Sequence, residues 1–150
     1  MNEEIKSKMN EESTGYLLYH LTTLLQRTMK RELDKIELTH TQFIILATVF
    51  KLSQTNKNVT QIEIATESKT DKMMVSKILR TLQNKNLLTR QEHSTDTRAK
   101  IILLTEDGKT LFKKAFSIVK EVEQSFFEPL AQRKDDFNSS IKLLTKINQD

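Results

Sequence analysis

The 150-residue chain has no cysteine and no tryptophan, and it contains only two glycines and one proline. Without cysteine, disulfides, thiolate catalysis and cysteine-ligated zinc are excluded. So few glycines and prolines leave few tight turns, which favours a mainly helical chain. No segment approaches the roughly 20 apolar residues of a membrane span, and the polar stretch 1–13 lacks the apolar core of a signal peptide. We therefore expect a soluble, cytoplasmic protein without a membrane partner.

Histidines and glycines are too scattered to form familiar catalytic or metal sites. His20, His40 and His93 form no i, i+4 pair and have no carboxylate at ligand spacing. Gly15 and Gly108 cannot build a loop that cradles phosphates, and no Gly-x-Ser-x-Gly motif occurs. We expect no enzyme, no metal site and no cofactor.

Positive charge is concentrated in one part of the chain. The formal net charge is +4, and segment 60–105 alone carries eight Lys or Arg residues against five Asp or Glu. Such a basic surface attracts phosphate. Taken alone, the charge is equally compatible with an ordinary solvated surface.

Hydrophobic periodicity predicts a mainly α protein with a small β-hairpin, in the order α-α-α-α-β-β-α-α. Residues 1–12 are expected to be irregular, and Pro129 is expected to end the fifth helix. The segment from 60 to 105 then corresponds to a helix-turn-helix followed by a wing. The predicted helices are 13–35, 39–52, 60–67, 71–84, 105–127 and 135–147, and the predicted strands are 87–92 and 100–104.

Polar residues mark where several of these elements begin and end. Thr39 with Gln42, and Thr60 with Glu63, have the spacing of capping boxes. Asn86 follows the helix 71–84 and tolerates the left-handed conformation that often ends a helix.

The helix 71–84 has two contrasting faces. An apolar face repeats at i, i+3, i+4 and i+7, and Met74 at its boundary is expected to pack against it. The opposite face is cationic and polar, as a helix in the DNA major groove requires, although chance cations on a surface helix are the alternative. The apolar face consists of Val75, Ile78, Leu79 and Leu82. The opposite face consists of Thr70, Lys72, Met73, Ser76, Lys77 and Arg80.

The helix 60–67 precedes it and offers a second contact to DNA. Its N-terminal amides, with Thr60 and Gln61, can bind a phosphate, and a plain structural cap is the alternative. We expect Ile62 to face the core, together with either Ala65 or Ile64.

The wing contributes the third set of candidates. Arg98 at the hairpin tip has a donor fork suited to the minor groove, and Asp96 can pair with it and hold it in position. An exposed Asp–Arg pair of little energetic weight is the alternative. Thr95, Thr97 and Lys100 are candidate phosphate contacts.

Four stretches together resemble the MarR family of winged-helix transcription regulators, at the spacing of that family. They resemble the opening of its second helix, its third helix, its recognition helix with the first wing strand, and its wing signature Asp-x-Arg. In this chain they read Leu38-Thr39-His40-Thr41-Gln42-Phe43 with Leu46, Thr60-Gln61-Ile62-Glu63-Ile64-Ala65, Val75-Ser76-Lys77-Ile78-Leu79 through Leu82 with Lys85-Asn86-Leu87-Leu88-Thr89-Arg90, and Asp96-Thr97-Arg98 with Leu104-Thr105.

The resemblance implies a homodimer whose terminal helices interlock, and in many members a small anionic or aromatic effector bound between that region and the DNA-binding lobe. It places Ser76 and Lys77 at the family's DNA-facing pair, and Arg98 with Asp96 at the tip of the wing. Lys77 stands where the family has arginine and lacks its planar fork. Asn86 stands where the family usually has glycine.

The residues themselves also favour a dimer. Apolar stripes in 111–126 and 137–147, with the first helix, exceed what a small winged helix can cover, and a two-fold partner would bury them. Closure within one chain is the alternative. We expect one domain, 1–150, in which 38–105 binds DNA and 13–37 and 106–150 dimerise.

These observations predict a homodimeric repressor of a pseudo-palindromic operator, released by a small-molecule effector. A winged-helix module that meets a protein through the same basic face is the alternative. Tyr16, Tyr19 and His20 can line an effector pocket, but packing is the favoured interpretation, so no effector residue is assigned.

Overall fold

A computed structural model describes residues 2–8, 13–92, 95–96 and 99–149, and the architecture refers to those residues. Helices and a two-stranded antiparallel sheet follow one another in the predicted order, preceded by one further short helix. The elements are α1 (Asn2–Lys8), α2 (Thr14–Asp34), α3 (His40–Ser53), α4 (Gln61–Ser68), α5 (Lys72–Asn84), β1 (Leu88–Glu92), β2 (Lys100–Leu104), α6 (Glu106–Phe127), a 3₁₀ helix (Glu128–Arg133) and α7 (Lys134–Asn148).

The differences from the expected elements lie near the two ends. Helix α1 occupies a segment that was expected to be irregular, and its first turn carries Glu3 and Glu4, which favour a helix N-terminus. After α6 the chain does not become a simple loop at Pro129 but continues as the 3₁₀ helix, which is kinked where Ala131 has a φ of 48°.

The predicted caps of α3 and α4 are confirmed, because both are complete capping boxes. The Gln42 N–H donates to the Thr39 hydroxyl and the Thr39 N–H donates to the Gln42 side chain, both at 3.1 Å. The Thr60 N–H donates to the Glu63 carboxylate at 2.7 Å. Each box satisfies amides that would otherwise lack partners, so these polar residues define where the helices begin.

Helix α3 lies at the centre of the core. It packs against α2, α4, α5, α6 and β2, and its Ile45, Leu46 and Val49 are fully buried. The helix is apolar on most sides, as its sequence predicted, because neighbours surround it.

The hairpin pairs Leu88 with Leu104 at its base and Glu92 with Lys100 toward its tip. A third segment joins it, because the Ile102 N–H donates to the Val59 carbonyl oxygen at 2.8 Å. Since Val59 comes two residues before α4, this bond fixes the base of the wing against the start of the helix-turn-helix.

A close junction connects α5, β1 and α6. Asn86 has the left-handed conformation that was predicted, with φ of 58°, and the Thr105 hydroxyl donates to its carbonyl oxygen at 2.7 Å. A Cβ added to Gly108 would lie 1.9 Å from the Leu87 carbonyl oxygen. The start of α6 therefore approaches the backbone at a distance that only glycine permits.

The terminal helices leave apolar side chains uncovered. Helix α7 has no buried residue, and the first turns of α2 are exposed as well. The large apolar side chains exposed in these two helices are Tyr16, Leu17, Leu18, Tyr19, Leu24, Ile141, Leu143, Leu144 and Ile147.

Among the described residues, no helix is both long and apolar enough to span a lipid bilayer.

Candidate nucleic-acid interface

The turn between α4 and α5 is built by three consecutive residues. Lys69 adopts a left-handed conformation with φ of 52° and ends α4, and the Thr70 N–H donates back to the Ala65 carbonyl oxygen at 3.1 Å. Asp71 then caps α5 by accepting from the Met73 and Met74 N–H groups at 2.9 and 3.2 Å. These bonds fix the angle at which α5 leaves the helix-turn-helix.

Burial of one face of α5 decides which face is presented to solvent. Val75, Leu79 and Leu82 are fully buried and Ile78 is partly buried, as predicted. The opposite face is left outward, with Met73 82% exposed. The other outward residues are Lys72, Lys77 and Arg80, which are exposed, and Thr70 and Ser76, which are partly buried.

Two apolar residues that were expected to pack are instead exposed. Ile62 is 63% exposed, because α4 buries Ile64 and Ala65, and a side chain two positions before Ile64 lies about 200° round the helix. Met74 is 52% exposed, because the buried face of α5 is centred on Val75 and Leu79. Both corrections add apolar surface beside the cationic residues.

The cations on the outer face of α5 form no ion pair among the described residues, and the one carboxylate on the same surface, Asp71, accepts from the backbone at the start of the helix. Within the described ranges, no carboxylate lies within ion-pair distance of Lys72, Lys77 or Arg80, whereas Lys30, Lys35, Lys51, Lys100 and Lys109 each have one. An unneutralised row of cations produces a positive potential that favours a polyanion.

The base of the wing meets α4 and α5 in a groove of about 240 Å³. It brings together Thr60, Gln61, Lys72 and Lys100, four of the residues predicted to contact DNA, with Ile62 and Ala99 completing the wall. Lys100 has an exposed and weak partner in Glu92, with 3.6 Å between the charged atoms.

The tip of the wing is only partly described. Thr95 and Asp96 are exposed. Thr97 and Arg98 lie outside the described residues, so the contact of Arg98 with the minor groove and its pairing with Asp96 stay predictions.

Arg90 on β1 was not among the predicted site residues. Its Nη2 group donates to the Ser76 carbonyl oxygen of α5 at 3.1 Å, which ties the wing to that helix. Partial burial and then the nearby positive charge of Arg80 lower the pKa of Arg90 from its ordinary value. Nothing in the sequence pattern indicated this role, because a strand residue reaches a helix carbonyl only through the tertiary packing.

A second cavity, away from this surface, lies between α3 and α6. It has a volume of about 780 Å³ and largely apolar walls made by Phe43, Phe50, Phe112 and Phe116. The rings of Phe50 and Phe112 are 4.6 Å apart. Polar groups line the rest, namely Lys51, Gln54, Lys113 and Ser117.

The cavity connects to α4 through one ion pair. The Lys51 ammonium donates to the Glu67 carboxylate, and this bond lowers the pKa of Glu67 below its ordinary range. Tyr16, Tyr19 and His20 do not line the cavity; Tyr16 and Tyr19 are exposed on α2, and the Tyr16 ring contacts that of His20.

The sequence matches the family model of the ArnR1-like winged-helix domain over residues 34–123. It is also 35% identical to YdcH, an uncharacterized HTH-type transcriptional regulator of Bacillus subtilis (strain 168), over 134 residues that cover 89% of this chain and 90% of the relative.

The fold matches solved structures of MarR-type regulators. The S. aureus MepR–DNA complex superimposes with a TM-score of 0.84 and 26% identity, covering 93% of this chain and 100% of that chain. A mutant of E. coli MarR complexed with operator DNA superimposes with a TM-score of 0.76 and 20% identity, covering 90% and 93%. The second likeness is one of fold alone.

Proposed function

Because the chain belongs to the MarR family of winged helix-turn-helix, DNA-binding transcription regulators, we propose that it is a homodimeric repressor of a pseudo-palindromic operator. Helix α5 enters the major groove and the wing borders the adjacent minor groove. The observation that carries this proposal is the outer face of α5, where cations without an ion-pair partner in the described residues lie opposite an apolar face that is buried in the core.

The proposed contacts divide by chemistry. Lys77, Arg80 and Ser76 reach base edges or phosphates, and the exposed Met73 can touch a thymine methyl. Around the groove at the wing base, Thr60, Gln61, Lys72 and Lys100 bind backbone phosphate, which positions the protein without reading sequence. Thr70, Thr95 and Thr97 are proposed as further backbone contacts, and Arg98 with Asp96 as the minor-groove contact.

A second copy of the chain explains the uncovered apolar residues. Exposed leucines and isoleucines on α7, and the exposed first turns of α2, form the kind of surface that a two-fold partner buries. We propose that residues 13–37 and 106–150 form this dimer, which places two copies of α5 about one helical turn of DNA apart.

An effector of small aromatic and anionic character fits the cavity between α3 and α6. Its phenylalanine walls suit a ring, and Lys113 suits a carboxylate, whereas Lys51 is already paired with Glu67. We propose that the occupied cavity changes the spacing of the two DNA-reading lobes and releases the operator.

Salt dependence tests the proposed function most simply. Binding of the parent protein to duplex DNA, selected by this protein from a random-sequence library, is measured from about 50 to 200 mM salt. Binding is expected to weaken about 10³-fold or more over that range, because each neutralised phosphate releases counterions. A flat response would contradict DNA binding and favour a protein-interaction module.

The wing is tested by Arg98→Ala on the same duplex. Loss of a minor-groove arginine is expected to weaken binding by about tenfold or more while the melting temperature stays unchanged. Parent-like affinity would remove the wing tip from the proposed interface.

A further inference from the structure

We propose that Arg90 and Arg80 together bind one phosphate of the DNA backbone, at the point where β1 meets α5. This site rests on the proposed function, and it assigns a DNA contact to the first wing strand, outside the wing tip and the outer face of α5. In the free protein the site lacks a negative charge, because both of its side chains are cations.

The alternation of β1 directs Arg90 toward α5. Leu88, two residues earlier and therefore on the same face of the strand, is buried, whereas Thr89 and Gln91 on the other face are exposed. The Arg90 Nη2 group reaches the Ser76 carbonyl oxygen at 3.1 Å. Arg80 follows Ser76 by one helical turn, so both guanidinium groups belong to the same side of α5.

In the free protein most hydrogen-bond donors of the Arg90 guanidinium have no acceptor among the described residues. It has five N–H donors, and the Ser76 carbonyl oxygen is the one acceptor found for them in the described part of the chain. Its Nε atom is buried without any acceptor there. The neighbouring charge is Arg80, which repels it. Two close cations with unused donors are stabilised by an anion that lies between them.

The position of the pair favours a nucleic-acid phosphate over other anions. Ser76 and Arg80, which flank Arg90, belong to the outer face of α5 that carries Lys77, so an anion held there lies along the DNA path. A guanidinium fork matches phosphate oxygens in a bidentate manner. The bond to Ser76 limits how far the side chain moves, which positions it for this contact.

The test uses Arg90→Gln, which removes the charge and keeps a polar side chain, but whose amide is too short to replace the Nη2 bond to the Ser76 carbonyl oxygen. Binding is measured against salt for the selected duplex and for a random duplex of about 30 base pairs, long enough for two half-sites. Each protomer of the proposed dimer loses one phosphate contact, so the slope of log K against log salt is expected to fall by about 0.9 per protomer, about 1.8 in all, and both duplexes are expected to bind more weakly by similar factors. Lys120→Ala, an exposed lysine on α6, serves as the control for charge loss alone.

Each result separates this site from the proposed function. A parent protein with no steep salt slope overturns the function itself. A steep parent slope that Arg90→Gln leaves unchanged, or a loss confined to the selected duplex, overturns the phosphate site and leaves Arg90 a purely structural link. Circular dichroism and the melting temperature verify the fold, and Arg90→Lys, which keeps the charge, is expected to retain a parent-like slope. An Arg90→Lys slope as low as that of Arg90→Gln overturns the site.

Sharing of one phosphate is tested with Arg80→Gln and the double variant. If both arginines hold the same phosphate, the double variant loses less affinity than the product of the two single losses. A loss equal to that product would indicate two separate contacts and contradict the shared site.

Discussion

Helices α5 and α7 are both amphipathic, yet only α5 finds a partner for its apolar face. In α5, Val75, Leu79 and Leu82 are fully buried and the exposed side is cationic. In α7 no residue is buried, and Leu144 and Ile147 are exposed. The difference shows that the winged-helix part completes its core within one chain, whereas the terminal helices leave an apolar surface that needs something to cover it.

The largest expected effect comes from breaking the core on which α5 depends. Gly108→Ala places a Cβ 1.9 Å from the Leu87 carbonyl oxygen, so the backbone of α6 or of Leu87 must move. We expect a loss of about 3 kcal/mol in the free energy of unfolding, measured by urea denaturation.

Gly15→Ala is the matched control, because the nearest atom to its added Cβ is 4.0 Å away. We expect no loss of stability there, since alanine favours a helix over glycine. Equal stability of the two variants would contradict the close junction of α6 with Leu87.

The next largest effect is expected in α7, where an exposed apolar residue can be replaced without changing the core of the winged-helix part. If the proposed dimer forms through α7, the parent protein has the mass of a dimer and Leu144→Asp that of a monomer, measured by light scattering. The substitution is also expected to weaken binding to a two-half-site duplex by about 100-fold, because the two lobes then bind independently. Ser139→Asp adds the same charge at an exposed polar position of α7 and should change neither. A Leu144→Asp protein of unchanged mass would show that α7 is not the interface.

The smallest expected effect concerns the contact between the winged-helix part and the terminal helices. There His40, at the start of α3, lies near Glu123 of α6. Burial lowers the pKa of His40 below 6.5, and the Glu123 carboxylate only partly opposes this. The unfolded chain therefore binds more protons just below pH 6.5, so the stability that neutral His40 contributes is lost as pH falls through that range.

That pH dependence is measured by urea denaturation at pH 7.5 and 5.5. The parent should lose more stability between these values than His40→Gln, which cannot titrate. If both proteins lose the same amount, His40 does not report on the contact between α3 and α6.

The element order and the helix caps were predictable from the sequence, because they depend on interactions between residues close together in the chain. Thr39 with Gln42, and Thr60 with Glu63, act within four residues, so their spacing alone indicated where α3 and α4 begin. The faces of α5 followed from helical periodicity in the same manner.

Features that depend on how elements pack were not predictable. The bond from Arg90 to Ser76 joins residues 14 apart in sequence, and the cavity between α3 and α6 depends on the separation of two helices. Ile62 was placed inward because α4 has apolar residues on more than one side, and only the packing of Ile64 and Ala65 decides between them. The role of Arg98 stays a prediction from the sequence.

The most direct test of the outer face of α5 is the double substitution Lys77→Ala with Arg80→Ala, compared with Lys114→Ala and Lys120→Ala on α6. Both pairs remove two positive charges from exposed positions. Fluorescence anisotropy with the selected duplex should show at least about a tenfold loss of affinity for the α5 variant only. Its salt slope should be lower by about two to four, because each protomer of the proposed dimer loses one or two phosphate contacts. If the α5 variant binds as tightly as the α6 variant with an equal salt slope, DNA is not bound by this face.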